Sequence, residues 1–175
     1  MHRSLVAALL LVMAATASAA PRDLATGAFS VTVETVVPGQ PIDVYDATFG
    51  DVTGWWDHSM SGDPHAMYIE PKPGGAFMEI FDESGDGVRH AVVTYAKRGE
   101  SLRFEGPLGL AGNALFMVTT WTFEDADEGH TRISVAVHGS GEVQERWPAV
   151  VERTWHHFLV ERLTPYLEGG GAPLD

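Results

Sequence analysis

The chain has 175 residues, 45% of them hydrophobic, and a formal charge of −13 from 11 basic and 24 acidic side chains. Such a surplus of acid repels phosphate backbones and anionic lipid alike, which argues against nucleic acid as a partner. With no cysteine, disulfides, thiolate zinc sites, iron–sulfur clusters, thiol nucleophiles and lipid attachment at an N-terminal cysteine are all excluded.

Residues 1–19 read as a secretory signal: Arg3 in a short leader, an apolar run from Leu5 to Ala15, then the small residues Ala17, Ser18 and Ala19. The run is shorter than the roughly 20 apolar residues a membrane helix needs. Cleavage after Ala19 is expected, with an uncleaved anchor as the alternative. The product would be periplasmic or secreted, with no stable membrane insertion. Losing Arg3 leaves 10 basic against 24 acidic side chains, a net charge of −14. About 155 residues then remain, enough for one domain stabilised by its own core.

After an N-terminal extension, residues 20–27, the domain is expected over residues 28–168. Phe29, Val31 and Val33 alternate with polar residues and predict a first strand ending at Pro38-Gly39. Two short helices follow, over residues 42–49 and 51–56, and then a run of turn formers, residues 59–64. Alternation predicts strands over residues 66–70, 76–81, 88–97, 102–105, 113–124 and 130–138. Their short Gly-, Asp- and Pro-rich connections indicate an antiparallel meander of about 6–7 strands. Over residues 144–168 the period changes to 3.6, with Trp147, Val151, Trp155, Phe158, Arg162 and Tyr166 near one stripe and Val150, Leu159 and Leu163 beside it. Gly169-Gly170-Gly171 ends this helix, leaving residues 169–175 as a flexible tail.

This order is that of an α+β helix-grip fold, in which a curved antiparallel sheet wraps a long C-terminal helix. Trp55-Trp56-Asp57-His58, Ser61-Gly62-Asp63, Pro73-Gly74-Gly75 with Phe77 and Glu79, Arg89-His90, Leu102-Arg103 and Gly106-Pro107-Leu108-Gly109 together resemble the exported branch of the SRPBCC superfamily. That superfamily includes START domains, polyketide cyclases, the birch-pollen-allergen relatives and the activator of heat-shock-protein ATPase group. The resemblance covers about residues 29–168. It implies a scaffold with a pocket between sheet and helix and leaves the ligand unnamed.

Two constellations could carry chemistry. A symmetric turn over residues 82–87 would place Phe81 opposite Val88 and Glu79 opposite His90, sharing a face with Phe77 and Val92. There a carboxylate–imidazole pair can hold the polar end of a ligand, act as acid and base, join a metal site, or simply satisfy itself. His58, beside Asp57 and Trp56, could join that pair if its loop folds inward. None of these residues has the close helical spacing of familiar zinc motifs, so no metal and no cofactor are expected. His156 and His157 point about 100° apart on a helix and cannot both serve one ligand. No Gly-x-Ser-x-Gly elbow or phosphate-cradling loop occurs, and residues 106–112 read as a flexible loop at the pocket entrance.

The leading expectation is therefore binding of a small hydrophobic or amphipathic molecule. The ligand-binding set is Trp55, Trp56, His58, Phe77, Glu79, His90, Trp121, Trp155 and Phe158. An enzyme of cyclase, hydrolase or isomerase type using Glu79 and His90 is the alternative, and a protein-interaction or chaperone-activator-like module is a third.

Overall fold

The computed structural model describes residues 23–171. The expected signal, residues 1–19, and the end of the expected tail lie outside those residues. The chain runs β1 (Thr26–Pro38), α1 (Pro41–Thr48), β2 (Gly50–Asp51), β3 (Ala66–Ile69), β4 (Ala76–Ile80), β5 (Gly87–Lys97), β6 (Ser101–Glu105), β7 (Leu115–Asp125) and β8 (His130–Glu142). A continuous helical rod follows: α2 (Trp147–His156), a π-helical stretch (His157–Leu163) and α3 (Thr164–Glu168). No helix among the described residues is long and apolar enough to cross a membrane.

All eight strands form one sheet in the order β1-β8-β7-β6-β5-β4-β3-β2. After β1 the chain crosses by α1 to the far edge and meanders back until β8 pairs antiparallel with β1. Pro41 opens α1 at a position where its missing N–H costs nothing, and Asp43 in the first turn favours the helix N-terminus. The expected second helix is instead the short strand β2 followed by one turn, in which the Trp56 N–H donates to the Val52 carbonyl at 2.8 Å. Pairing of Gly50 and Asp51 with β3 takes the backbone that a helix would have used.

Alternate side chains of the strands turn to the side covered by the rod. Val33, Val37, Ile69, Phe77, Val93, Leu102, Phe104, Trp121, Phe123, Ile133 and Val135 are buried there with Trp147, Val151, Trp155, Phe158, Leu159 and Leu163 of the rod. The sheet can follow the rod because β5 carries two irregularities in its pairing, one opposite Phe77/Met78 and one at Val93/Tyr95. Each inserts an extra residue that bends and twists the strand. The molecule is thus an α+β helix-grip fold. Within the rod, Pro165 has no N–H to continue the α pattern, and the Thr164 hydroxyl donates to the Leu159 carbonyl at 2.8 Å. The N–H of Thr164 bonds that same carbonyl.

Candidate functional site

The pairing expected between Glu79 and His90 is replaced by another. Glu79 stands opposite Val88, Met78 opposite Arg89 and Phe77 opposite Ala91, so His90 is the extra residue of the first bulge. In a bulge two successive side chains can turn to one face, and His90 and Ala91 are both buried. The shift also removes Val92 from that face, where Val93 is buried instead. Despite the altered register, His90 Nε2 lies 2.9 Å from Glu79 Oε2. The bulge is held from the other side by Gly106, where an added Cβ would collide with the His90 carbonyl and come within 2.6 Å of Ala91 Cα.

Glu79 is fully buried and His90 is 8% exposed. The Glu79 carboxylate also accepts hydrogen bonds from the Met60 and Ser61 N–H groups and the Ser61 hydroxyl, each at 2.9 Å. Burial pushes this carboxyl up, but these donors, with His90, outweigh burial and hold it below the ordinary glutamate value. The loop after Trp56 therefore folds inward onto Glu79 through its backbone. Its side chains Asp57 and His58 turn the other way, toward the rod.

Trp56 stacks on Phe158, with ring centroids 3.8 Å apart. Beside this pair, two adjoining apolar depressions of about 200 and 220 Å³ share His58, Leu108, Gly109, Thr154 and Trp155. They form one groove between the rod, the loop after Trp56 and a single 3-10 turn, Leu108–Leu110. Leu108 sits in the left-handed backbone region at φ 52°, a strained conformation for a branched apolar residue. It is spent at the groove's rim.

Of the residues expected to bind ligand, Trp56, His58, His90, Trp155 and Phe158 line this groove. Trp55, Phe77 and Trp121 lie in the packed core instead, with no exposed surface, because neighbouring rings fill the space that a deeper cavity would occupy. Trp121, for example, packs edge-on to Trp55 at 6.2 Å and to Trp155 at 5.5 Å. Glu79 lies behind His90 and does not reach the groove lining. Leu108 lines it as well, in the loop expected at the pocket entrance, whereas Thr154 and Met60, which also line it, escaped sequence reasoning because nothing in their local pattern separates them from ordinary helix or loop residues.

Beside the groove, where His58 borders both halves, Asp57 accepts from two histidines. His58 Nδ1 lies 2.8 Å from Asp57 Oδ1, and His157 Nε2 lies 2.9 Å from Oδ2 and 3.0 Å from Oδ1. The second ring nitrogen of His157 lies 2.9 Å from Glu161 Oε2. Arg162 Nε stands 3.3 Å from Asp57 Oδ2. Burial raises the Asp57 carboxyl, but the two imidazoles outweigh burial and hold it below its ordinary value. Glu161, and then Asp57, raise His157 against the effect of burial. His156, its chain neighbour, is exposed, yet its Nδ1 lies 3.4 Å from Glu161 Oε1. The two adjacent histidines thus meet on one carboxylate, against the expectation drawn from their angular separation, because the long Glu161 side chain reaches between them.

Comparison with known proteins places these features in a family. Residues 39–168 match the family model described as Activator of Hsp90 ATPase homolog 1-like protein. No match was found among curated proteins. Among solved structures, DynU16, described as a putative protein in the dynemicin biosynthetic locus, is 22% identical with a TM-score of 0.57; the match covers 82% of this chain and 48% of DynU16. The chain thus spans about half the length of that relative. Protein MLL2253 from Mesorhizobium loti is 18% identical with a TM-score of 0.57, covering 81% of this chain and 98% of its own. The Aha1 dimer from Colwellia psychrerythraea is 18% identical with a TM-score of 0.54, covering 81% of this chain and 98% of its own. At these identities the solved structures speak to the fold alone, and they agree with the helix-grip architecture. On the family match over residues 39–168, the chain belongs to the Activator of Hsp90 ATPase homolog 1-like family of the SRPBCC superfamily.

Proposed function

We propose that the groove binds a small amphipathic molecule, with its apolar body against Trp56, Leu108, Trp155 and Phe158 and its polar end at His90. The observation that carries this reading is one buried imidazole in an otherwise mainly apolar lining. Its Nε2 is committed to Glu79, which leaves Nδ1 as the nitrogen a ligand can use. Each half of the groove is smaller than the roughly 300–1,000 Å³ of drug-sized pockets. A small occupant laid along both halves fits best.

Gly109 offers a clean test. It borders both halves of the groove, is exposed, and a Cβ added there meets nothing within 4 Å. Gly109→Phe should therefore fill the groove without straining the backbone. Native mass spectrometry of protein purified from its own host is expected to show a retained small molecule in the wild type and its loss in the variant, with the unfolding midpoint nearly unchanged. Equal retention by both proteins would rule out the groove.

A second reading, acid–base catalysis by His90, is favoured by the Glu79 carboxylate behind its Nε2, the arrangement that orients a general base. Glu79 itself is engaged by the 60–61 backbone and serves as a positioning residue. His90→Gln retains a donor for Glu79. Under the binding reading it weakens retention by the equivalent of about 1–3 kcal/mol. Under the catalytic reading retention survives and turnover of the bound compound falls by about 10²–10⁴-fold.

A further inference from the structure

We propose that Asp57, His58 and His157 form a binding site for one zinc-class divalent cation at the rim of the groove. Their ligand atoms, one from each residue, all lie within 4.8 Å of one another. A carboxylate oxygen and two imidazole nitrogens are the donor set that suits such an ion, and three protein ligands leave a fourth position for water or a ligand atom. Among the described residues no fourth metal-ligating side chain joins the three.

The surroundings resemble those of a built site. Glu161 holds His157 Nδ1 at 2.9 Å, so the carboxylate fixes the ring and leaves Nε2 to face Asp57, the outer arrangement that raises a histidine's basicity toward a metal. Asp57 Oδ1 is shared by both histidines, at 2.8 and 3.0 Å, while Oδ2 lies 2.9 Å from His157 Nε2 and 3.3 Å from Arg162 Nε. Oδ1 is thus the oxygen that faces both imidazoles, and Arg162 stands beside Oδ2. Arg162 also places a positive charge near the ion, which moderates affinity; Glu161 offsets it.

The three ligands come from two segments that the fold brings together. His157 begins the π-helical stretch, while Asp57 and His58 belong to the loop whose backbone is tied to Glu79 through Met60 and Ser61. Glu161 holds the His157 side and the backbone holds the loop side, so only the His58 ring and the Asp57 carboxylate shift as the ion replaces their hydrogen bonds, which limits the cost of assembling the site. Cation binding does not depend on what occupies the groove. His58 lines both halves of the groove, so the open coordination position would stand beside the occupant.

The test is calorimetric titration of zinc into the untagged, chelator-treated protein, repeated with cobalt to read the visible absorption of a tetrahedral ion. One equivalent per chain with a tetrahedral cobalt band is expected. His58→Gln and His157→Gln should each weaken binding by at least about tenfold. Glu161→Gln should weaken it by about 10–100-fold, the usual effect of removing an outer-shell partner. His138→Gln, an exposed histidine on β8, should leave it unchanged. His58 is exposed, so its variant is expected to fold, and circular dichroism checks this. Absence of saturable binding would overturn the proposal. Binding undiminished in both His58→Gln and His157→Gln would overturn it equally, since the ion would then sit on other surface groups.

Discussion

At the residue scale, Glu79 is the side chain on which the site depends. Full burial of a carboxylate is tolerated because four donors meet it. Its value in the fold is below the ordinary 4.5. Because the folded form is the stronger acid, its contribution to stability is complete above the unfolded value and is lost as pH falls through the folded one. The unfolding midpoint of the wild type should accordingly fall on acidification below about pH 4.5. Glu79→Gln should lower the midpoint at neutral pH, by about 1–3 kcal/mol for donors left unmet, and should flatten the acid limb. An acid limb as steep as the wild type's would mean that other carboxylates govern it. Gly106 acts at the same scale on the backbone: Gly106→Ala forces β6 and the bulge of β5 apart. It is expected to destabilise the fold and to reduce ligand retention together, because His90 is aimed by that bulge.

At the scale of elements, the C-terminal rod holds core and groove in one piece. Phe158 is 3% exposed, stacks on Trp56 and meets Trp155 edge-on at 6.0 Å. Phe158→Ala should cost about 3–5 kcal/mol, the range for truncating a buried aromatic, and should release Trp56 from its stacked position. A chemical-denaturation series measures the loss. A change near zero would mean that the stack contributes little and that the rod is held by Leu159 and Leu163, both fully buried. The π-helical stretch matters because it sets where the side chains following His157 point. Arg162, expected to share a stripe with Trp155 and Phe158, approaches Asp57, the chain neighbour of the Trp56 on which Phe158 stacks.

At the scale of the whole molecule, export is the expectation with the widest consequence, because it fixes which partners and metal ions the protein meets. It rests on residues 1–19 alone. N-terminal sequencing of protein recovered from its host is expected to begin at or near Ala20, in the periplasmic or culture fraction. Intact Met1 in a cytosolic fraction would remove the export reading and bring the chaperone-activator role forward.

The alternation of Phe77 with Glu79, or of Trp121 with Phe123, is a local pattern of period two, and the spacing of Trp147, Val151, Trp155 and Phe158 is a local pattern of period 3.6. Such patterns report which face of an element is apolar, so the helix-grip fold, the antiparallel meander and the covering helix could be read from the chain alone. So could the association of Glu79 with His90, though for a register that the sheet does not adopt. The bulge that aims His90 left no local mark, because it arises where a bent sheet must follow the rod and where Gly106 of the neighbouring connection fits against it. The filling of the expected interior by Trp55 and Trp121 depends on how rings from distant elements meet. The cluster of His157 with Asp57 joins residues 100 positions apart. Contacts of that kind carry no periodic signature and exist only once the chain has closed on itself.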